Sequence, residues 1–145
     1  MRATVFLVIL AFAVPATAAD CPIQGATAVT IGAQRWEVET ASTPAERSRG
    51  LSFRPGLAAS TGMLFVLASP GLQGFWMKDM RFPLDIVWVG SGNAVLQGVT
   101  AQPCRQAECP ILQPPAPVAY VLEVNAGEFR GKPGETLTWQ CGARP

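Results

Sequence analysis

Between Gly74 and Val89 the chain reads GFWMKDMRFPLDIVWV, and four charges, Lys78, Asp79, Arg81 and Asp85, stand among residues that avoid water. In PLDIVWV, period-2 alternation puts Asp85 opposite Leu84, Ile86 and Trp88 and on the same side as Val87 and Val89, so both faces of the run are apolar. A carboxylate in such a place must be paired or hydrogen-bonded. Lys78 upstream and Arg54 earlier in the chain are its candidate partners. Two roles fit. Asp85 is either an internal ion pair or backbone-binding carboxylate that pins a strand crossing, or a charge at the mouth of a barrel that orients a ligand together with Lys78. Trp76 beside Lys78 suits a small ligand with an apolar body and an anionic end, although Phe75, Trp76 and Met77 equally suit a core. Arg54, Trp76, Lys78, Asp79 and Asp85 therefore form the candidate ligand-binding set. Asp79 and Asp85 also offer a carboxylate pair of the kind glycoside hydrolysis uses, with Lys78 nearby, but Pro83 separates them and their spacing does not fix a geometry.

The composition narrows the chemistry further. There is no histidine, which removes Ser-His-Asp and Cys-His nucleophilic sites, His-ligated metals and imidazole acid–base catalysis. No metal-ligating set or cofactor motif stands out, so neither a metal nor a cofactor is expected. The 11 Lys and Arg nearly balance the 10 Asp and Glu, and no basic patch points to nucleic acid or to an anionic membrane surface. A length of 145 residues suits one domain with a substantial core. The 14 Gly and 13 Pro favour many turns and short strands over long helices.

Residues 1–19 read as a signal peptide. Arg2 supplies the positive start, Ala3–Val14 is the apolar run, and Ala16-Thr17-Ala18 fits the small-residue cleavage pattern. The run is shorter than the ~18–20 residues of a membrane span, so the mature domain, residues 20–145, is expected in the periplasm or outside the cell with no span of its own. In that oxidising setting Cys21, Cys104, Cys109 and Cys141 read as two disulfides, for which three pairings exist. Cys104–Cys109, with four residues between them in a Pro-flanked loop, can close locally, which leaves Cys21–Cys141 to join the ends of the mature chain. A redox-active pair would have the spacing C-x-x-C at a helix start, and neither feature is present.

The elements that must position these residues are short. Thr27–Ile31 and Gln34–Thr40 form a hairpin across Gly32-Ala33, with Trp36 and Val38 alternating against Arg35, Glu37 and Glu39. Thr43-Pro44-Ala45-Glu46 makes a capping box with Pro at the first helical position, and Gly50 ends the helix, which spans about Pro44–Arg49. Gly62–Leu67 is a buried apolar run. Gly74–Lys78 and Leu84–Val89 read as two buried strands joined around Met80–Pro83. Gly90–Asn93 is a hairpin loop into Ala94–Thr100, Val118–Val124 a further strand, Asn125–Phe129 a brief helical turn, and Thr136–Gln140 the last strand. Glu46, Glu123 and Asn125 read as structural residues. About eight short strands and one small helix give a mainly β fold, a compact β-barrel-like or jelly-roll-like sandwich.

Five ordered blocks, TPAERSRGLSFRPGL, GMLFVL, FWMKDMRFPLDIVWV, PC….CP and VLEVNAG with KPGE, together resemble the family called domain of unknown function 192, over about Val29–Trp139. The resemblance implies a small exported or surface-anchored β domain with a partly barrel-like or jelly-roll-like sandwich, and it carries no catalytic residues with it. Where the commoner block has Asn and Thr after Met-Lys, this chain has Asp79 and Met80. The expected function is binding or accessory, toward a small polar ligand, a glycan or an envelope protein. The competing expectation is a small carboxylate-dependent hydrolase built on Asp79, Asp85 and Lys78.

Overall fold

The alternation in QRWEVETA has its structural counterpart in the computed structural model, which describes residues 22–142: Trp36 is buried while Arg35 and Glu37 face water. Their strand, β2 (Gln34–Ala41), pairs antiparallel with β1 (Ala26–Ile31), with Ile31 opposite Gln34 across the Gly32-Ala33 turn. Helix α1 (Pro44–Arg49) then carries the chain over to β3 (Thr61–Gly71), which lies parallel to β2. The capping box is complete. Thr43 Oγ1 accepts from the Glu46 N–H, and Glu46 Oε2 accepts from the Thr43 N–H at 2.8 Å. At the other end Gly50 adopts φ +47° and its N–H donates to Glu46 O, the left-handed exit that a glycine makes without strain.

The remaining strands are β4 (Leu84–Val89), β5 (Val95–Ala101), β6 (Val118–Asn125) and β7 (Leu137–Cys141). Together the seven make one mixed sheet in the order β5-β4-β6-β3-β2-β1-β7. It curls until its edges touch at one place. Ala94 bridges Thr136, and Val95 N donates to Glu135 O, Gly134 N to Val95 O and Leu137 N to Asn93 O, each at 2.8 Å. The sheet is therefore barrel-like without being closed.

Its two faces bury two apolar layers. One takes residues from six of the strands and from the edge strand β5, among them Val29, Trp36, Leu64, Val87, Val95, Leu122 and Leu137. The other is covered by α1 and the loops and includes Leu51, Phe65, Met77, Met80, Leu84 and Trp88. All six residues of β4 are buried, because both of its faces are covered.

The expectation of a strand at Gly74–Lys78 is corrected. Its alternation is real, with Met77 buried and Trp76 and Lys78 exposed, but the segment runs outside the sheet. It is held by isolated bridges, Phe75 to Leu112 and Lys78 to Cys104, so its pairing partner is the cysteine loop and not β4. The described residues accordingly form seven strands where about eight are expected. Likewise Asn125–Phe129 is a turn, with the Glu128 N–H on Asn125 O, and not a helical one. Cys104 and Cys109 are joined, with Cα atoms 5.7 Å apart. Cys141 is also disulfide-bonded, while Cys21, its expected partner, and the expected signal segment lie outside the described residues. Among the described residues no helix is long and apolar enough to cross a membrane.

Candidate functional site

In β6, VAYVLEVN places one carboxylate in an otherwise apolar strand. Glu123 stands opposite Ile86 on β4 and Met63 on β3, and cross-strand partners share a face, so its side chain enters the layer beneath α1. It is only 5 % exposed. No hydrogen bond or ion pair reaches its carboxyl among the described residues, and burial alone pushes its pKa up to about 8. At neutral pH it is therefore a protonated acid, with one O–H to donate and lone pairs to accept. A second unpartnered polar atom, Trp88 Nε1, lies in the same layer, where Trp88 faces Val121 one step along the ladder.

Glu123 lies at the bottom of a cleft of about 540 Å³. Leu51, Phe65 and Met80 form the apolar part of its floor. One wall is the face of α1 that carries Arg47 and Arg49. The capping box that starts this helix also holds the Glu46 carboxyl below its ordinary pKa, through the backbone N–H groups of Thr43 and Ser42. Arg47 Nη1 donates to Ser42 O and, at 3.1 Å, to Val66 O, which ties the helix to β3. Arg49 is exposed, and although its carbonyl accepts from the Ser52 N–H at 3.2 Å, its guanidinium makes no hydrogen bond or ion pair among the described residues. It is a guanidinium without a counter-charge at the rim.

The opposite wall is Gln73–Trp76 with Ile111 and Gln113. Phe75 and Leu112 exchange backbone hydrogen bonds of 2.9 and 2.7 Å, and the Phe75 ring stands edge-on to Phe65 with centroids 5.1 Å apart. Trp76 (55 % exposed) and Ile111 (58 %) line this wall, while Phe53 and Leu72 (both 63 %) are chain neighbours of the lining residues Ser52 and Gln73. Two of the four exposed large hydrophobic residues among the described residues thus line this opening.

The structure brings only part of the expected set to this cleft. Trp76 is in its wall. Lys78 is not a lining residue, but its Nζ lies 6.0 Å from the centre of the Trp76 ring, at the outer reach of a cation–π contact. Asp79 is exposed at φ +61°, and its carbonyl, not its carboxylate, is engaged, by the Phe53 N–H at 2.9 Å. Arg54 is bound in a bidentate pair to Glu39, at 2.5 and 2.8 Å, which lowers the Glu39 pKa and raises that of Arg54.

Asp85 faces the other layer, with Val87 and Val89. Its carboxylate accepts from Thr100 Oγ1 at 2.6 Å, Gly127 N at 2.8 Å and Phe129 N at 2.9 Å. The expected partners Lys78 and Arg54 are replaced by two backbone amides and a hydroxyl, and Asp85 pins the turn after β6 in place. Nearby, Glu128 accepts from Trp36 Nε1 and Ser60 N, both at 3.1 Å. A second cleft, of about 520 Å³, opens here, but its polar side chains are largely spent on neighbouring groups. Among the described residues no group of three His, Cys, Asp or Glu side chains could hold a metal ion.

Glu123 is the residue that a structural reading of the sequence passes over. Its signal is the same as that of Asp85, a lone carboxylate within an apolar strand, and what separates the two is which layer each one enters.

A family model, that of DUF192, an uncharacterized ACR, matches residues 27–139. A crystal structure of a protein of unknown function from Novosphingobium aromaticivorans superposes with a TM-score of 0.70 at 33% identity, covering 77% of this chain and 84% of that one. A second crystal structure, from Sinorhizobium meliloti, superposes with a TM-score of 0.69 at 31% identity, covering 77% of this chain and 92% of that one; that protein is provisionally described as a transcription regulator. No protein with a curated description matches.

Proposed function

This chain belongs to the DUF192 family, and on that footing we propose that it is an exported, non-catalytic binding domain whose α1 cleft takes a small ligand with an apolar body and an anionic end. The observation that carries this reading is the unpartnered Glu123 carboxyl at the bottom of the cleft. A carboxyl that opens only into the cleft and has no partner within the protein is one that a ligand entering the cleft can hydrogen-bond. Phe65, Phe75 and Trp76 offer apolar and aromatic surface for the body, and Arg49 offers a free charge for the anion. Export is supported by the signal-like residues 1–19 and by the Cys104–Cys109 disulfide.

The hydrolase alternative has less behind it. Asp85 gives its oxygens to three donors on the far layer, which speaks against the expected pairing of Asp79 with Asp85. The test is an amide-resolved NMR titration with phenylacetate, a ring bearing a carboxylate, beside the neutral phenylacetamide. Phenylacetate should shift the signals of Gly50, Phe65 and Phe75 and should bind more tightly than the amide. If neither compound, nor a panel of aliphatic carboxylates, moves those signals, the reading is wrong.

A further inference from the structure

We infer that the natural occupant of the α1 cleft is the C-terminal end of a polypeptide, with its carboxylate on Arg49, its last amide on Glu123 and its apolar last side chain against Phe75 and Trp76. This rests on the binding role proposed above and names the ligand class. Three features of the opening point to it together.

The first is the kind of polar group at the bottom. A neutral carboxylic acid both donates and accepts, and a secondary amide, with one N–H and one C=O, is its complement. The opening also carries the side-chain amides of Gln73 and Gln113, which add donors and acceptors of the sort a peptide backbone uses. The second is the uncommitted cation. Arg47 is spent on the carbonyls of Ser42 and Val66, whereas the guanidinium of Arg49 on the same helix has no partner among the described residues and can receive a carboxylate bidentately.

The third is the extent of the apolar rim. Trp76 and Ile111 are each more than half exposed and lie in the lining, and Phe53 and Leu72, equally exposed, are chain neighbours of the lining residues Ser52 and Gln73. That exposed apolar surface suits a chain whose preceding side chains run out of the cleft. An internal stretch of polypeptide would meet the same amides and apolar rim but would reach Arg49 with an anion only through an Asp or Glu side chain, whereas a chain terminus always carries its carboxylate beside its last amide.

The experiment uses isothermal titration of the mature chain with three N-acetylated tripeptides ending in Leu, Phe or Val, each as the free acid and as the C-terminal amide, beside phenylacetate. At least one free acid should bind tenfold or more tightly than both its own amide and phenylacetate. Arg49→Ala should abolish the preference for acid over amide. Glu123→Leu should weaken both forms at least tenfold, while Glu123→Gln, which keeps a donor and an acceptor, should retain binding. Circular dichroism of each variant separates lost binding from lost fold.

Equal affinity for acids and amides would overturn the terminal assignment. Phenylacetate binding as tightly as every tripeptide, with sensitivity to Arg49→Ala, would overturn the polypeptide inference and leave the small-ligand reading standing. No binding of any compound by the folded wild type would remove both.

Discussion

Replacing Glu123 by Gln tests the buried acid without any ligand. In the folded chain Glu123 titrates at about 8 because burial disfavours its charge, against an ordinary value of 4.5. Its folded pKa is raised, so the native state holds a proton that the unfolded state has released. Stability from this source is fully present below pH 4.5 and is lost progressively until the pH passes about 8. A tenfold difference in proton affinity between the two states corresponds to about 1.4 kcal/mol, so the whole loss is on the order of 4–5 kcal/mol. Glutamine is nearly isosteric and does not titrate. Urea unfolding of wild type and Glu123→Gln at pH 5 and pH 8.5, with disulfides intact, isolates the effect, because every other titrating group cancels in the difference. At pH 5 the two should be close in stability, and at pH 8.5 the Gln variant should be the more stable by several kcal/mol. Parallel pH profiles for the two proteins would refute the assignment of Glu123 as a buried neutral acid.

Other perturbations have clear directions. Asp85→Ala strands the Gly127 and Phe129 amides and the Thr100 hydroxyl, and should cost about 3–5 kcal/mol in thermal or urea unfolding; a change under about 1 kcal/mol would show that those donors find other partners. Gly62→Ala should cost about 2–3 kcal/mol, because a Cβ there would lie 2.5 Å from the Glu123 carbonyl oxygen and 2.9 Å from Val124 Cγ1. Wild-type stability in that variant would mean the β3–β6 spacing is looser than described. Thr43→Ala removes the cap of α1 and should cost about 1 kcal/mol in urea unfolding. Arg54→Ala breaks only an exposed ion pair and should change stability by less than about 1 kcal/mol, so a large effect would give Arg54 a role beyond Glu39.

How much of this can be read from the chain depends on the range over which each feature is decided. The α1 capping box is legible because Thr43 and Glu46 are three residues apart and each side chain accepts from the other's backbone N–H. The hairpin of β1 and β2 and the both-faces burial of β4 follow from alternation, which is equally local. The segment Gly74–Lys78 shows where alternation stops informing. It tells which side chains turn inward, but the choice between β4 and the cysteine loop as partner depends on residues as distant as Cys104 and Leu112. The sequence marks Asp85 as needing partners, yet two of its three donors lie 42 and 44 residues further on and are backbone amides that any residue could present. Glu123 escapes notice for a related reason. Its burial depends on α1 and the Gln73–Trp76 segment covering that face of β6, and no residue near Glu123 announces the cover.

The stretch between β5 and β6 holds no strand, yet it is fastened at several points. Cys104 donates its amide to Met77 O at 3.0 Å, Leu112 trades two bonds with Phe75, and the Cys104–Cys109 link closes the loop between them. The wall carrying Ile111 and Gln113 is consequently set before anything arrives. An incoming molecule meets a receptor that has little left to freeze, so the ordering cost of association, about 0.5–1.5 kcal/mol for each side chain immobilised, falls mainly on the guest. A reductant reaching that loop would transfer part of the cost back to the host, and affinity would then follow the redox state of the surroundings.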